Sequence, residues 1–179
     1  RHIGLRDVKV IYHECKLSAE EVSLYNNCAQ HLRRSEGMGG ITQQMFWQRF
    51  LASIKAKRVV DIIKRELNLG KSVIVALQNT GEASDRRQVS PMNPSNISSC
   101  QDLMSHVFSE NELELWDPID IVINEFGADK VAEITGRQKR VVRISNKKFA
   151  YRSRPSSLQE CRDFQNGVKR IAVLSRAGS

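Results

Sequence analysis

Apolar residues recur at helical spacing over a long stretch in the first half of the chain. Between residues 42 and 69 they fall every three or four positions and predict one helix with an apolar face, formed by Ala56, Val59, Val60, Ile63 and Leu67. Gly70 follows and is typical of a helix end. A shorter helix is predicted from Ser18, a suitable N-cap, to about Arg34, with acidic residues in its first turn.

Short apolar runs alternate with these helices and predict strands. Val8–Leu17 alternates partly, and Arg140–Ser145 is rich in β-branched residues. Ser72–Leu77 and Arg170–Ser175 are nearly unbroken apolar runs, which suit strands buried on both faces of a parallel sheet. Strands that alternate with helices predict an α/β fold with a mostly parallel sheet flanked by helices.

The second half of the chain contains further helix signals. Asp117 followed by Pro118 is a typical helix start, and Ser156 with Gln159 has the spacing of a capping box. Asp129–Ile134 is predicted as a short helix ended by Gly136.

The polar segment between residues 84 and 115 predicts a variable loop or insert, with a short helix near 101–108. We therefore expect a single domain over residues 1–179, with an N-terminal helical portion at about 18–69.

The charge balance favours a polyanionic partner. The formal net charge is +8 and the pI is about 9.6, which is typical of proteins that bind nucleic acid. The four cysteines are scattered, so no metal site is predicted. No secretory pattern opens the chain and no apolar run is long enough to span a membrane. We expect part of a longer intracellular protein, nuclear in a eukaryote and otherwise cytoplasmic.

Gly70-Lys71-Ser72 matches the end of a phosphate-binding loop, but the flanking residues and the order of the predicted elements do not fit such a loop. Such a loop needs another glycine five positions earlier, where this chain has Arg65, and it joins a strand to a following helix. Here a helix precedes and a strand follows, so Gly70 is interpreted as a helix stop.

The candidate chemistry lies instead after the buried strands. Gln78, Thr80 and Gly81 follow the first strand, and Leu174–Ser179 repeats the pattern of a strand followed by small and hydroxyl residues. Ligands bind at the carboxyl ends of strands in open α/β sheets. Both loops are therefore candidates for phosphate contact, and the alternative is that both are ordinary turns.

A third candidate is Ile134–Arg140. A turn with free backbone amides followed by Arg137, Lys139 and Arg140 could hold a sugar-phosphate backbone. A competing hypothesis makes residues 129–145 a helix-turn-helix, with its second helix in the major groove. The β-branched run after Arg140 favours a strand instead.

With these stretches in view, the chain resembles the Strawberry notch family of superfamily 2 helicase-like proteins. Four segments carry the likeness, in family order: Leu17–Ala29, Phe46–Ala83, Asp120–Val142 and Asp163–Ser179. The last resembles the approach to the family's motif V. The strand followed by Q-x-T-G-E-A and the T-G-R turn are the more specific parts.

The resemblance implies the second RecA-like lobe of a two-lobed motor, with a helical insert. It implies nucleic-acid-binding residues, namely Gln78, Thr80, Gly81, Thr135, Gly136 and Arg137, and the basic turn adds Lys139 and Arg140. It also implies a nucleotide-cleft group, namely Ser175, Ala177, Gly178 and Ser179. The partners are then nucleic acid, with DNA favoured over RNA and the choice left open, and the first lobe of the same chain, which would hold most of the ATP and Mg²⁺.

The chain also departs from a complete motor. No first-lobe motif is present, and the sequence ends inside motif V before the expected arginine finger. We therefore expect no catalytic residue here and no ATP hydrolysis by this chain alone. The function expected is part of an ATP-dependent helicase, translocase or remodeller. The alternative is a non-enzymatic DNA-binding or transcription-cofactor module that uses the helix-turn-helix.

Overall fold

A computed structural model describes residues 9–34, 40–77, 117–145 and 148–175. Its elements, numbered in chain order, are α1 (Ala19–Arg34), α2 (Gly40–Asn68), β1 (Val73–Leu77), α3 (Pro118–Phe126), β2 (Val131–Ile134), β3 (Lys139–Ser145), β4 (Lys148–Ser153), α4 (Ser157–Gln165) and β5 (Ile171–Ser175).

The central sheet is parallel, with strand order β1-β5-β2. Val73 pairs with Ile171 and Val131 pairs with the same residue from the other side, so the last strand in sequence lies in the middle. Parallel neighbours joined through helices confirm the predicted α/β class.

Helices α2 and α3 cover one face of this sheet. Their apolar side chains pack with those of β2 and β5 into one buried cluster, formed by Val60, Ile63, Ile119, Val122, Ile123, Val131, Ile171 and Val173. Burial of such side chains is worth about 1.5–3 kcal/mol each relative to leaving them exposed. The helical periodicity of α2 was therefore a correct guide to the core.

Aromatic side chains join α1 to the first half of α2. Tyr25 lies over Trp47 with ring centroids 4.4 Å apart, and Trp47 meets Phe50 edge-on at 5.6 Å. The Arg58 guanidinium adds an ion pair with Glu21 at 3.0 Å. This contact orients α1 along α2.

Side chains close the helix ends where the sequence predicted them. The Ser18 hydroxyl accepts a bond from the Glu21 amide at 3.2 Å, and the Glu21 carboxylate accepts one from the Ser18 amide at 2.8 Å. At α4, the Ser156 hydroxyl accepts from the Gln159 amide at 3.2 Å. These caps satisfy amides that the helix itself leaves without a partner.

Strands β3 and β4 form a separate antiparallel hairpin that packs against α3. Lys139 pairs with Ser153 at its base and Arg143 with Phe149 nearer its tip, followed by an irregularity before Ser145. The predicted strand at 140–145 is confirmed.

Three predictions were wrong. Residues 131–134 form β2, not a helix, because this short run pairs with β5 at one side of the described sheet. The helix-turn-helix at 129–145 fails with it, since that segment is a strand, a turn and a second strand. No strand is present in the described part of the stretch 8–17, namely residues 9–17.

The first sheet strand is less buried than predicted. Only one face of β1, that of Val73, Val75 and Leu77, packs against the apolar cluster, and Ile74 on the other face is 58% exposed. The helix predicted at 101–108 lies outside the described residues, as does the insert at 84–115. None of the helices in the described ranges is long and apolar enough to cross a membrane.

Candidate functional site

The three parallel strands end together. Leu77 is in register with Ser175, and Ile134 with Leu174, so β1, β5 and β2 finish at one side of the sheet. We call this side the carboxyl edge. Neighbouring strands lie about 4.8 Å apart, so the chain segments that leave them begin close to one another. Open α/β sheets bind ligands at this kind of edge.

The predicted site residues divide into two groups. Thr135, Gly136, Arg137, Lys139, Arg140 and Ser175 are described. Gln78, Thr80, Gly81, Ala177, Gly178 and Ser179 lie outside the described residues, although their segments begin directly after β1 and β5.

Arg137 points into the domain. Its guanidinium pairs with Glu133 and Asp120 at 2.9 Å each and with Asp117 at 3.4 Å, and the residue is only 7% exposed. We call these four residues the ionic cluster. The guanidinium is thus buried and engaged by three carboxylates, and the backbone contact predicted for Arg137 stays a prediction.

Burial and neighbouring charges shift the pKa values of two members of the ionic cluster. Burial and the neighbouring Asp117 raise the pKa of Asp120 to about 7, against the opposing attraction of Arg137. Burial also disfavours the charged form of Arg137, but Asp117, Asp120 and Glu133 together raise its pKa above the ordinary value. The guanidinium therefore stays charged, while Asp120 is poised to take up a proton.

Arg154, just after β4, clamps the turn that carries the T-G-R residues. Its guanidinium donates to the carbonyls of Glu133 at 2.8 Å, Arg137 at 2.5 Å and Thr135. The Ser157 hydroxyl also donates to the Thr135 carbonyl, at 3.0 Å. Alternate carbonyls of the turn thus converge on one side chain, which fixes the turn's shape.

The sequence predicted free backbone amides in this turn, but the Arg137 amide is engaged. The Thr135 hydroxyl accepts from the Arg137 amide at 3.2 Å and donates to the Glu133 carboxylate at 2.9 Å. Thr135 is 2% exposed, so its side chain belongs to the ionic interior and not to a ligand surface.

A second buried pair supports the hairpin from α4. The Lys169 ammonium lies 2.5 Å from Glu160 and also donates to the carbonyls of Ala128 and Val131 at 3.3 Å. The Arg140 guanidinium approaches the other oxygen of Glu160 at 3.7 Å, with only 11% of its side chain exposed. Arg140 is therefore also turned inward, and the phosphate contact predicted for it stays a prediction.

Two residues of the predicted set are exposed, Gly136 in the turn and Lys139 at the start of β3. Ser175 ends the central strand and is 4% exposed. Among the residues in the described ranges, no group of three or more His, Cys, Asp or Glu is arranged to hold a metal ion.

Sequence reasoning missed the acids and the second arginine of this interior, namely Asp120, Glu133, Glu160 and Arg154. For Asp120 and Glu133 the signal was a charge inside an otherwise apolar run, whereas Glu160 and Arg154 lie in polar segments that gave none. That pattern marks a buried charge that requires a partner, but it does not say which partner.

The family comparison falls on the segment that builds this interior. Residues 117–179 match the model for the C-terminal domain of Strawberry notch homologues. This segment is therefore similar to a Strawberry notch helicase C-terminal domain. The resemblance seen in the sequence is thereby confirmed over α3, the hairpin, α4, β2 and β5. The parallel sheet with helices on its faces is that of a RecA-like lobe. Comparisons with curated proteins and with solved structures returned no match.

Proposed function

We propose that this chain is the second lobe of an ATP-dependent nucleic-acid helicase, translocase or remodeller of the Strawberry notch type. The observation that carries the proposal is the register of the sheet. It brings the ends of β1, β5 and β2 to one edge, within a chain that contains the family's helicase C-terminal domain. The loops leaving this edge would bind nucleic acid and close the nucleotide cleft.

The described contacts favour two roles at the carboxyl edge, contact with the ligand and support of the turn. Gly136 and Lys139 are exposed and can meet a phosphate backbone, the former through its main chain. Arg137 and Arg154 hold the turn that presents them. We propose that Gln78, Thr80 and Gly81 complete the nucleic-acid-binding surface from the end of β1.

In the intact protein, ATP and Mg²⁺ would bind between this lobe and a first RecA-like lobe of the same chain. Ser175 ends the central strand at the carboxyl edge, which suits a loop from 175 to 179 that reaches the nucleotide cleft. Bound ATP supplies the free energy for translocation, and this lobe's residues hold the nucleic acid while the cleft closes.

We also propose the wider organisation expected from the sequence. The chain forms one lobe with an N-terminal helical portion at about 18–69 and an insert at about 84–115. DNA is the favoured nucleic acid, and the protein is intracellular, nuclear in a eukaryote. A helix-turn-helix module is not carried forward, since residues 129–145 are not helical.

Salt-dependent binding to an oligonucleotide tests the proposal. Fluorescence anisotropy should show an affinity that falls with salt, with a slope of log K against log[salt] of roughly −0.9 for each duplex phosphate contact. No binding at low salt would contradict a nucleic-acid role for this lobe.

A paired substitution tests the loop after β1. Gln78→Ala with Thr80→Ala should weaken binding at every salt concentration, because two polar contacts to the backbone are removed. The matched control is Gln44→Ala with Gln48→Ala, since both glutamines are exposed on α2 and neither belongs to the tested loop. Equal affinities of the two variants would remove this loop from the interface.

A further inference from the structure

One buried carboxylate holds the segment that carries the two exposed candidate contacts, Gly136 and Lys139, from both sides. The Asp120 carboxylate accepts from the Arg137 guanidinium at 2.9 Å and from the Val141 amide at 3.3 Å, through the same oxygen. A single side chain of α3 therefore touches both the T-G-R turn and the start of β3. Its charge acts on the turn and the strand together.

The charges that meet in the ionic cluster do not balance. The Arg137 guanidinium faces three carboxylates, two at 2.9 Å and that of Asp117 at 3.4 Å. Arg154 adds a second cation, whose Nε lies 3.8 Å from Glu133. With every carboxylate ionised, two cations thus face three anions, and none of these side chains is more than 16% exposed. A buried excess of like charge favours the uptake of a proton by one of the acids.

Asp120 is the acid best placed to take up that proton. Both cations approach Glu133, so its charge is the best compensated of the three. Asp117 is the most exposed of the three acids, and its carboxylate accepts from two backbone amides of α3. Asp120 is only 5% exposed, and burial together with the neighbouring Asp117 raises its pKa to about 7.

The groups around the Asp120 carboxylate come from the cap of its own helix, the turn, β2 and β3, namely Asp117, Arg137, Glu133 and the Val141 amide. Helix α2 packs against α3 as well. Its ion pair with that helix joins Lys64 to Glu125, more than one helical turn beyond Asp120. A proton on Asp120 therefore changes the charge beside the turn and β3.

Helix α3 also holds β3 by bonds that do not titrate in the neutral range. The Asn124 side chain donates to the Val141 carbonyl at 2.7 Å and accepts from the Arg143 amide at 2.6 Å. It donates to the Asp120 carbonyl as well, at 2.8 Å. These bonds keep β3 beside α3 when the Asp120 carboxyl gains a proton. Protonation thus changes the charge at the turn while these contacts between α3 and β3 persist.

A phosphate backbone that meets the exposed Gly136 approaches the ionic cluster closely. Thr135 and Arg137, on either side of Gly136, both donate to the Glu133 carboxylate at 2.9 Å. The excess carboxylate repels a phosphate there, and a proton on Asp120 removes that repulsion. Because linkage is reciprocal, a ligand that binds better to the protonated lobe also promotes the uptake of the proton.

We propose that nucleic-acid binding at the T-G-R turn and the start of β3 is linked to protonation of Asp120, so that the lobe binds a phosphate backbone more tightly when this carboxyl is neutral. The proton is taken from solvent on binding and returned on release. The inference rests on the proposed function and adds regulation to the same site. It makes affinity depend on pH near neutrality, where lysine and arginine keep their charge.

The test uses the whole 179-residue chain and two variants that each lose one acidic side chain. Asp120→Asn keeps the size of the side chain and removes its titration. Asp61→Asn removes an exposed carboxylate of α2 and is the matched control. Fluorescence anisotropy with a labelled 20-nucleotide single strand is measured from about pH 5.5 to about pH 9 at one low ionic strength. Urea unfolding of all three proteins checks that the fold is kept.

Asp120→Asn should bind about tenfold more tightly than the wild type at about pH 9 and equally at about pH 5.5, as for a shift of about one pKa unit on binding. The variant resembles the protonated wild type at every pH, which explains this pattern. A merely structural role for Asp120 predicts weaker binding by the variant. Asp61→Asn should keep the wild-type pH profile, and a variant profile that matched that of Asp120→Asn would overturn the inference.

A second measurement on the wild type decides the matter if Asp120→Asn does not fold. Calorimetric titration with the same oligonucleotide at about pH 7.5, in two buffers of different ionisation enthalpy, should show the uptake of about half a proton. No uptake, or a wild-type pH profile retained by Asp120→Asn, overturns this inference alone. A wild-type protein that binds no oligonucleotide at any pH overturns the proposed function as well.

Discussion

The two ends of strand β2 lie in different environments on the same face of the sheet. Val131 belongs to the apolar cluster with Ile171 and Ile123. Two residues further on, Glu133 is fully buried beside Arg137 at the carboxyl edge. Two residues of β2 on the same face therefore belong to different interiors, one stabilised by apolar contacts and the other by ion pairs.

The difference teaches how this lobe fixes its layers and its site. Apolar burial is non-directional and depends on area and fit, so it holds α2 and α3 against the sheet. Ion pairs and hydrogen bonds are directional, so the ionic cluster and Arg154 fix the T-G-R turn and the hairpin base. The apolar core should therefore tolerate conservative substitution, whereas the ionic cluster should not.

The largest effect is expected at Arg137. Arg137→Ala leaves the buried carboxylates of Asp120 and Glu133 without their cation, which should lower the free energy of unfolding by about 3–5 kcal/mol. Urea unfolding measures the loss. The exposed Lys139→Ala should change stability by less than about 0.5 kcal/mol. A stable Arg137→Ala protein that had lost only nucleic-acid affinity would restore the phosphate contact expected from the sequence.

The apolar half is tested at Ile123, which is 1% exposed. Ile123→Ala should cost about 3 kcal/mol through lost burial and a cavity, whereas Ile123→Val should cost only about 1 kcal/mol. The same urea experiment gives both values. If Arg137→Lys proved as mild as Ile123→Val, the two halves would not differ in tolerance.

Asp120 should make stability depend on pH. Its folded-state pKa of about 7 lies above the ordinary value of 3.8, so between these pH values the folded protein holds a proton that the unfolded chain releases. This group's contribution to stability therefore falls as pH rises from about 4 to 7, by an amount on the order of a few kcal/mol, since each pKa unit corresponds to about 1.4 kcal/mol. Asp120→Asn should lose that decline. An unchanged pH profile in the variant would assign the titration to another group.

The smallest effect is expected at the start of α4. Ser156→Ala removes the hydroxyl that accepts from the Gln159 amide and should cost about 1 kcal/mol. Ser153→Ala, on an exposed strand position, is the control. Equal stabilities of the two variants would show that solvent replaces the cap.

The sequence was informative where local patterns decide the structure. Helical spacing identified α2, and Asp117 and Ser156 marked two helix starts that the structure confirms. It failed for β2, because a four-residue strand owes its conformation to pairing with β5, which local propensity does not record.

Strand ends and the T-G-R turn predicted a site at the carboxyl edge, and this location stays a prediction. The inward direction of Arg137 and Arg140 could not be read from the sequence, since it depends on carboxylates from α3, β2 and α4 that come together only in the fold.

Asn124 has a further consequence for the protein's behaviour in solution. The outward edge of a hairpin strand carries backbone groups that can recruit a strand from another molecule. The Asn124 amide occupies the Val141 carbonyl and the Arg143 amide on that edge. Because Asn124 occupies these groups, they are unavailable to a strand from another molecule. This effect does not depend on salt, whereas repulsion between charged edges is screened at high salt.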